Sequence, residues 1–229
     1  MSSPNPRLNK YLVGVGLAES RRKADELITA GRVSINGTTE TNLATRVMDT
    51  DLVELDGQSG RKRKDIYIAY NKPRGLVCSH IKQGSSKTIF EELPIAFANL
   101  KIAGRLDKDS EGLMILSSDG DFINKITHPS SRKDKTYLVY TKQNITEVVV
   151  AKLNAGVKLV DGFSKLKTTI IGKNATKVII SEGRNRQIRR SFETLGLTVI
   201  KLQRVRIGLY SNRSLAPKEF VFIKPEDVL

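Results

Sequence analysis

A charged segment between two apolar segments contains the side chains best suited to chemistry. Residues 104–113 read Gly-Arg-Leu-Asp-Lys-Asp-Ser-Glu-Gly-Leu, so one arginine and one lysine stand among three acidic residues. The apolar residues on either side, such as Ile102 and Ile115, are typical of buried strands. Loops fixed between strands often carry catalytic groups. The segment therefore predicts either a solvated loop or a carboxylate site that is centred on Asp107 and held by a rigid sheet.

A second segment concentrates positive charge where a helix is expected to begin. Residues 182–190 read Glu-Gly-Arg-Asn-Arg-Gln-Ile-Arg-Arg, and apolar residues then recur at helical spacing. Four arginines lie within seven residues, and they are Arg184, Arg186, Arg189 and Arg190. Cations at a helix N-terminus are unfavourable unless anions neutralise them. The pattern indicates either an exposed basic helix or a site for anions.

Other parts of the chain predict the elements that would hold these two segments. Lys-Thr-Tyr-Leu-Val-Tyr at 135–140 alternates like a strand and gives Tyr137 one defined face, although a strand tyrosine usually packs in the core. Asn-Lys-Pro-Arg-Gly at 71–75 predicts a turn, after which residues 76–78 are expected to resume the sheet. A helix is expected over 145–153, and a strand over 198–202 ends at Leu202.

The first quarter of the chain predicts two short helices followed by a hairpin. Leu8, Leu12 and Val15 mark one face of the first helix, Ser20 is a candidate N-cap of the second, and Asn36-Gly37 is a strong hairpin turn. Basic residues flank the apolar positions of both helices: Arg7, Lys10, Arg21, Arg22, Lys23 and Arg32. They indicate either a solvated helix face or a surface that binds anions.

Composition limits the class of protein and of partner. The chain has 229 residues, of which 39% are hydrophobic and 28% charged, as in a globular protein. Its formal net charge of +15 favours a nucleic-acid partner. The charge alone does not distinguish an enzyme from a structural RNA-binding protein. The single cysteine, Cys78, excludes an intramolecular disulfide and is expected in the core. No Cys/His cluster has metal-ligand spacing, although carboxylates could hold Mg²⁺. No apolar run spans a membrane and no signal peptide is evident, so a cytoplasmic location is expected.

The element pattern predicts two domains of the α+β class. A basic stretch at Arg61–Lys64 follows Gly-Gln-Ser-Gly and is interpreted as a linker. The expected divisions are a small basic domain at 1–60, a linker at 61–65 and a second domain at 66–229. The many short strands favour a mixed, mostly antiparallel sheet over a doubly wound parallel one.

Several of these strings together resemble a known family. Arg-Leu-x-Lys-Tyr-Leu, Ser-Arg-Arg-x-Ala, Leu-Ile-x-x-Gly-x-Val and Asn-Gly, within residues 7–57, are similar to the S-four (alpha-L) RNA-binding domain. The segments at 71–75, 104–113, 135–139 and 182–190 resemble, in the same order, those of the RsuA-type ribosomal RNA pseudouridine synthases. The resemblance implies a catalytic domain with a bent sheet and an RNA cleft.

The resemblance also implies roles for individual residues. Asp107 would be the catalytic carboxylate, Arg189 its ion-pair partner, and Tyr137 would pack on the uracil and assist proton loss from carbon 5. Arg105 would fill the space left by the flipped base, and Leu202 would line the uracil pocket. Phosphates would be bound by Arg184, Arg186 and Arg190, and structured RNA by the basic residues of the first quarter.

The resulting hypothesis is isomerisation of a uridine in ribosomal RNA, with large-subunit RNA slightly favoured. The reaction needs no cofactor, and the expected partners are ribosomal RNA or a ribosomal assembly particle, bound by a monomer without membrane association. One alternative is a non-catalytic, ribosome-associated RNA-binding or assembly protein. A second alternative is a degenerate synthase that acts as an RNA chaperone.

Overall fold

The computed structural model describes residues 5–61, 64–82, 84–212 and 214–229. The chain divides into two compact units, the first ending at Lys64 and the second beginning at Asp65. Two residues of the expected linker, Lys62 and Arg63, lie outside the described part. Within that part, no helix combines the length and the apolar character needed to cross a membrane.

The first unit contains the two expected helices and a small antiparallel sheet. Its elements are α1 (Leu8–Gly14), α2 (Arg21–Thr29), β1 (Val33–Ile35), β2 (Thr38–Thr39), β3 (Val53–Leu55) and β4 (Gln58–Ser59), and the strand order is β2-β1-β3-β4. The Ser20 hydroxyl accepts a hydrogen bond from the Lys23 amide at 3.1 Å, which confirms the predicted N-cap. Asn36 and Gly37 have φ of 52° and 80°, as a tight hairpin turn requires. Leu8, Leu12 and their apolar neighbours form a separate core.

The second unit is built on a nine-stranded mixed sheet. Its helices are α3 (Gly120–Thr127), α4 (Glu147–Ala155) and α5 (Gln187–Glu193). Its strands are β5 (Tyr67–Lys72), β6 (Lys101–Ile102), β7 (Glu111–Ser117), β8 (Lys135–Thr141), β9 (Val157–Leu159), β10 (Gly162–Ser164), β11 (Lys167–Gly172), β12 (Ala175–Ile180), β13 (Val199–Ile207), β14 (Tyr210–Ser211) and β15 (Phe220–Phe222). The strand path is β11-β12-β8-β13-β7-β5-β15, and β9 with β10 forms a separate hairpin. The predicted α+β class with a mixed, mostly antiparallel sheet is therefore confirmed.

The only parallel pairing described in this sheet joins its two antiparallel halves. β13 and β7 pair in register at Gln203 with Glu111 and at Arg204 with Gly112. One half contains β11, β12, β8 and β13, and the other contains β7, β5 and β15. β7 is buried on both faces because Met114 faces the larger core and Ile115 faces the smaller one. The seam between the halves thus lies where the 104–113 segment enters the sheet.

Three local predictions were wrong at their boundaries. Asn71 and Lys72 are the last residues of β5 and not part of the turn, because both still pair with β7. Residues 76–78 do not form a strand: after Pro73 the chain turns away from the sheet, and Val77 makes one isolated bridge with Thr88. β13 continues to residue 207 through the basic run that was expected to follow a strand ending at 202.

Gly112 is a position in the second unit where only glycine fits. Gly112 has φ of 107°, and a Cβ atom there would lie 2.2 Å from the Arg204 carbonyl oxygen. Both backbones belong to the parallel seam, so neither can move without breaking strand pairing.

We expect Gly112→Ala to destabilise the protein by at least about 2 kcal/mol, because it adds backbone strain and a steric clash. Urea unfolding monitored by circular dichroism measures the change. Gly183→Ala is the control, since its added Cβ would meet nothing within 4 Å. Equal stabilities of the two variants would contradict the steric argument.

Candidate active site

The candidate site is the loop between β6 and β7, in which Asp107 lies. The Asp107 side chain is about one-third exposed, at 32%, whereas Leu106 before it and Ser110 after it are buried. Leu106 donates its amide to the Cys78 sulfur at 3.4 Å. Cys78 is buried, which confirms its expected place in the core, and burial raises the pKa of its thiol. The loop is therefore anchored on apolar residues while its carboxylate stays accessible.

Three buried cations hold this loop by its backbone carbonyls. Arg204, only 1% exposed, donates to the carbonyls of Gly104 at 2.8 Å and Leu113 at 2.7 Å, one at each end of the loop. Lys72, fully buried, donates to the carbonyls of Ser110 at 2.7 Å and Asp107 at 3.2 Å. Arg189 is the third, and its Nη2 donates to the Asp109 carbonyl at 3.0 Å and lies 3.4 Å from the Ser110 hydroxyl.

Lys72 is bonded as a protonated ammonium would be. It has three N–H donors, and besides the two loop carbonyls it reaches the Pro73 carbonyl at 3.0 Å. Burial lowers the pKa of Lys72, although the nearby Cys78, Asp107 and Asp109 oppose that effect. Three carbonyl acceptors therefore replace the water that the charge loses on burial.

The carboxylates of the loop differ in their arginine partners. The Asp109 oxygens lie 3.1 and 3.3 Å from Arg186 Nη1, and one lies 3.3 Å from Arg189 Nε. Burial alone would raise the pKa of Asp109, but the Arg186 hydrogen bond and the Arg189 charge hold it below its usual value. For Asp107, the nearest ion-pair partner described is Arg186, at 3.8 Å.

This arrangement differs from the expected pairing of Arg189 with Asp107. Arg189 is buried, with 8% of its surface exposed, and it forms its described ion pair with Asp109, whose carbonyl it also binds. Asp107 is partly exposed, and the exposed Arg186 lies within ion-pair distance of it. Arg189 thus supports the loop in this structure, Arg186 is the arginine described within ion-pair distance of Asp107, and a pairing of Arg189 with Asp107 stays a prediction.

Arg184 and Arg190 are engaged elsewhere in this structure. Arg190 donates to both carboxylate oxygens of Asp161, at 2.9 and 2.8 Å. Arg184 lies 3.2 Å from Asp161 Oδ1 and donates to the Phe163 carbonyl at 2.8 Å. These bonds tie α5 to the β9–β10 hairpin. A phosphate would have to displace these bonds, and the binding of phosphate by Arg184 and Arg190 stays a prediction.

Tyr137 and Leu202 lie on one face of neighbouring strands. Tyr137 pairs across the ladder with Arg204, and Leu202 pairs with Val139. Tyr137 and Leu202 are 7% and 6% exposed, and both belong to the core cluster that also contains Leu106. Leu106 directly precedes Asp107, so the loop is anchored in the same apolar cluster as Tyr137 and Leu202. Arg105, in the same loop, is exposed.

Two supporting residues were not identified from sequence. Lys72 was interpreted as part of a turn, and Arg204 as part of a basic run after a strand. The signal for Arg204 was available. Arg204 lies two residues beyond Leu202, and side chains two residues apart on a strand point to the same face. No sequence signal distinguishes a buried lysine from an exposed one at position 72.

The basic residues of the first unit occupy its two helices and adjoining positions. Arg21, Arg22 and Lys23 form the exposed first turn of α2. Lys23 pairs with Glu26 at 2.9 Å, and Arg32 pairs with Asp56, so these two cations are partly neutralised. Arg7 immediately precedes α1, and Lys10 lies within it.

Comparison with known proteins gives matches over both units. Residues 66–194 match a family described as RNA pseudouridylate synthase, and residues 6–53 match the S4 domain. Ribosomal large subunit pseudouridine synthase B of Bacillus subtilis (strain 168) is 35% identical over 97% of this chain and 93% of the relative. Ribosomal small subunit pseudouridine synthase A of Vibrio vulnificus (strain CMCP6) is 32% identical over 97% of each.

A solved structure supports the same similarity in three dimensions. A crystal structure of a pseudouridylate synthase aligns with a TM-score of 0.69 and 30% sequence identity, covering 96% of this chain and 97% of that one. The alignment therefore extends over nearly the full length of both chains.

The buried cations give a prediction for the loop. Lys72→Met keeps a long, unbranched side chain but removes all three donors, so buried carbonyls lose their partner. We expect a loss of about 2 kcal/mol or more in the free energy of unfolding, and faster amide hydrogen exchange over residues 107–110.

Lys87→Met is the control for Lys72→Met, because Lys87 is exposed. Mass spectrometry of exchanged peptides, together with urea unfolding, compares both variants with the unaltered protein. Unchanged exchange over the loop in Lys72→Met would show that the ammonium does not hold it.

Proposed function

This chain belongs to the RNA pseudouridylate synthase family, in the RsuA-type group with an N-terminal S-four domain, and we propose that it isomerises one uridine of ribosomal RNA to pseudouridine. It is an enzyme of this class, and the proposal concerns its substrate and its mechanism. The observation that carries the mechanism is Asp107 on a loop clamped by three buried cations beside an apolar surface. Large-subunit RNA is favoured by the relative with the higher identity, although a small-subunit relative is nearly as similar.

We assign the two parts of the reaction to the two units of the chain. Residues 1–60 bind structured RNA through the basic residues of α1 and α2, residues 61–65 link the units, and residues 66–229 perform the chemistry. The exposed first turn of α2 supports this assignment, since three consecutive cations there favour a visiting anion.

The first step exposes the uridine. A base in structured RNA must leave its stack before its glycosidic bond becomes accessible, at a cost of a few kcal/mol. Arg105, exposed next to the loop, fills the space that the base leaves. The uracil then lies against Tyr137 and Leu202, whose apolar surfaces replace part of the lost stacking.

Asp107 then acts at the ribose. Its carboxylate either attacks the anomeric carbon or abstracts the 2′ proton, and both routes break the bond between the base and the sugar. The uracil rotates and rejoins through carbon 5, which then loses a proton with the help of Tyr137. Atoms and electrons balance within the nucleotide, so the reaction needs no redox or metal cofactor.

The surrounding cations position the aspartate and the RNA. Lys72 and Arg189 hold the loop backbone, so they fix where the Asp107 carboxylate lies without occupying its oxygens. Arg186, 3.8 Å from that carboxylate and exposed, is placed to contact a phosphate beside the target nucleotide. We further propose that the enzyme acts as a monomer in the cytoplasm, on ribosomal RNA or an assembly particle.

The alternative of a non-catalytic RNA-binding protein accounts for the first unit and for the net charge. It does not account for residues 66–194, which match the synthase family and contain Asp107, Tyr137 and Arg189. A degenerate synthase acting as an RNA chaperone would keep the same fold, so activity measurements decide between it and an active enzyme.

We expect Asp107→Asn to abolish isomerisation, by at least about a thousandfold, because the amide keeps the size but loses the charge of the carboxylate. Tritium release from 5-tritiated uridine in ribosomal RNA measures turnover, and filter binding measures affinity, which should change little. Asp134→Asn is the control, because Asp134 is exposed. Turnover near the unaltered rate in Asp107→Asn would remove Asp107 as the catalyst.

Tyr137→Phe keeps the ring in place but removes the hydroxyl. We expect turnover at saturating RNA to fall by about a hundred- to ten-thousandfold, as the loss of acid–base assistance usually costs, while affinity for RNA stays within about twofold. Single-turnover kinetics with tritiated RNA makes the comparison. Full turnover would leave Tyr137 as a packing residue of β8.

A further inference from the structure

The sheet of the second unit has an open face on the side opposite Tyr137. Because side chains alternate along a strand, Thr136, Leu138 and Tyr140 of β8 point away from the core that contains Tyr137 and Val139. All three are partly exposed. We call the surface formed by these residues and their neighbours on β11, β12 and β13 the outer face.

The strand register places cations at regular positions on the outer face. Thr136 pairs with Ile179 on one side and Arg206 on the other, and Ile179 pairs with Lys167. Lys167 and Arg206 therefore end one row, about 14 Å apart across three strand spacings. In the next row, Lys177 pairs with Leu138.

Acidic residues are missing from the same region. None of the strands β8, β11, β12 and β13 contains Asp or Glu. The carboxylate of Glu111, on the adjacent strand, is bonded to Lys201 at 3.1 Å. Lys167, Lys177 and Arg206 are exposed, so their charges face solvent. The outer face is thus positively charged, and no acidic residue on its own strands neutralises that charge.

A concavity of about 510 Å³ lies among these residues, and its walls include Lys177, Ile179, Arg206, Leu209 and Asn212. Leu209 is 62% exposed and forms an apolar wall. Arg206 donates its Nε to the Gly208 carbonyl at 2.8 Å, which orients the guanidinium at the rim. The volume is large enough for a nucleobase, and the polar and apolar walls match its edges and its face.

We propose that the outer face binds a single-stranded segment of the RNA substrate, with phosphates on Lys167, Lys177 and Arg206 and a base in the concavity. The proposal takes the substrate to be RNA, as above, and adds a second contact surface on the side of the sheet away from Asp107. A single strand is favoured because an open sheet with a side pocket can accept an unstacked base, whereas the bases of a duplex remain paired.

Binding by the full chain tests this proposal. The probe is a fluorescently labelled twelve-nucleotide oligoadenylate, which contains no uridine for the catalytic site, and the test variant is Lys177→Glu with Arg206→Glu. The charge-matched control is Lys87→Glu with Lys152→Glu, because both lysines are exposed. Lys152 lies on α4, whose buried residues belong to the core on the Tyr137 side. Lys177→Gln with Arg206→Gln provides a milder second variant.

We expect the test variant to bind oligoadenylate at least tenfold more weakly than the control at low salt. Its plot of log affinity against log salt should lose about 1.4 units of slope, about 0.7 for each lost contact on a single strand. Half-saturation of single-turnover isomerisation should move to a higher concentration of ribosomal RNA in the test variant than in the control. The binding result stands even if no isomerisation occurs, so failure of the proposed function would be distinguished from failure of this proposal.

Three outcomes would overturn the proposal. The first is an equal loss of affinity in the test and control variants, since net charge alone would then explain binding. The second is equal competition by a twelve-base-pair RNA duplex, which would remove the preference for a single strand. The third is binding of phosphatidylglycerol vesicles that the test variant loses while it retains RNA, which would assign the face to a membrane.

Discussion

The loop that contains Asp107 depends on charged side chains that are buried away from water. A desolvated ammonium or guanidinium is costly unless its donors are satisfied, and here backbone carbonyls of the loop satisfy them. Lys72 and Arg204 thus stabilise the fold only when the loop has one conformation. Because these cations bind backbone carbonyls, they leave the carboxylate oxygens of Asp107 unoccupied. The contacts that stabilise the core are therefore also the contacts that fix the geometry of the site.

Local patterns predicted those parts of the fold that local physics determines. The Ser20 N-cap, the Asn36-Gly37 turn and the alternation around Tyr137 depend on residues within a few positions, and all three appear as expected. The strand ends near Lys72 and Leu202 were placed wrongly because tertiary pairing extends both strands. β5 gains two residues by pairing with β7, and β13 gains five by pairing with β8, β7 and β14.

The roles of the arginines show why a site is harder to predict than a fold. Arg186, Arg189 and Arg190 lie within five residues, and the sequence alone does not indicate which of them binds an anion. The structure separates them by what surrounds each one: Asp161 occupies Arg190, and the Asp109 carboxylate and carbonyl occupy Arg189. Arg186 also binds the Asp109 carboxylate, but it is more exposed than Arg189. Only the long-range approach of the β9–β10 hairpin and the loop creates this difference, and no spacing rule encodes it.

The parallel pairing of β7 and β13 is also the connection between the two halves of the sheet. Two residue pairs connect the halves of the sheet there, and Arg204 bridges them by binding carbonyls at both ends of the loop. A change in the angle between the halves would move Arg204 relative to the two carbonyls that it binds, and would therefore strain the loop that contains Asp107. The rigidity of the sheet and the position of that loop are thus linked through one side chain.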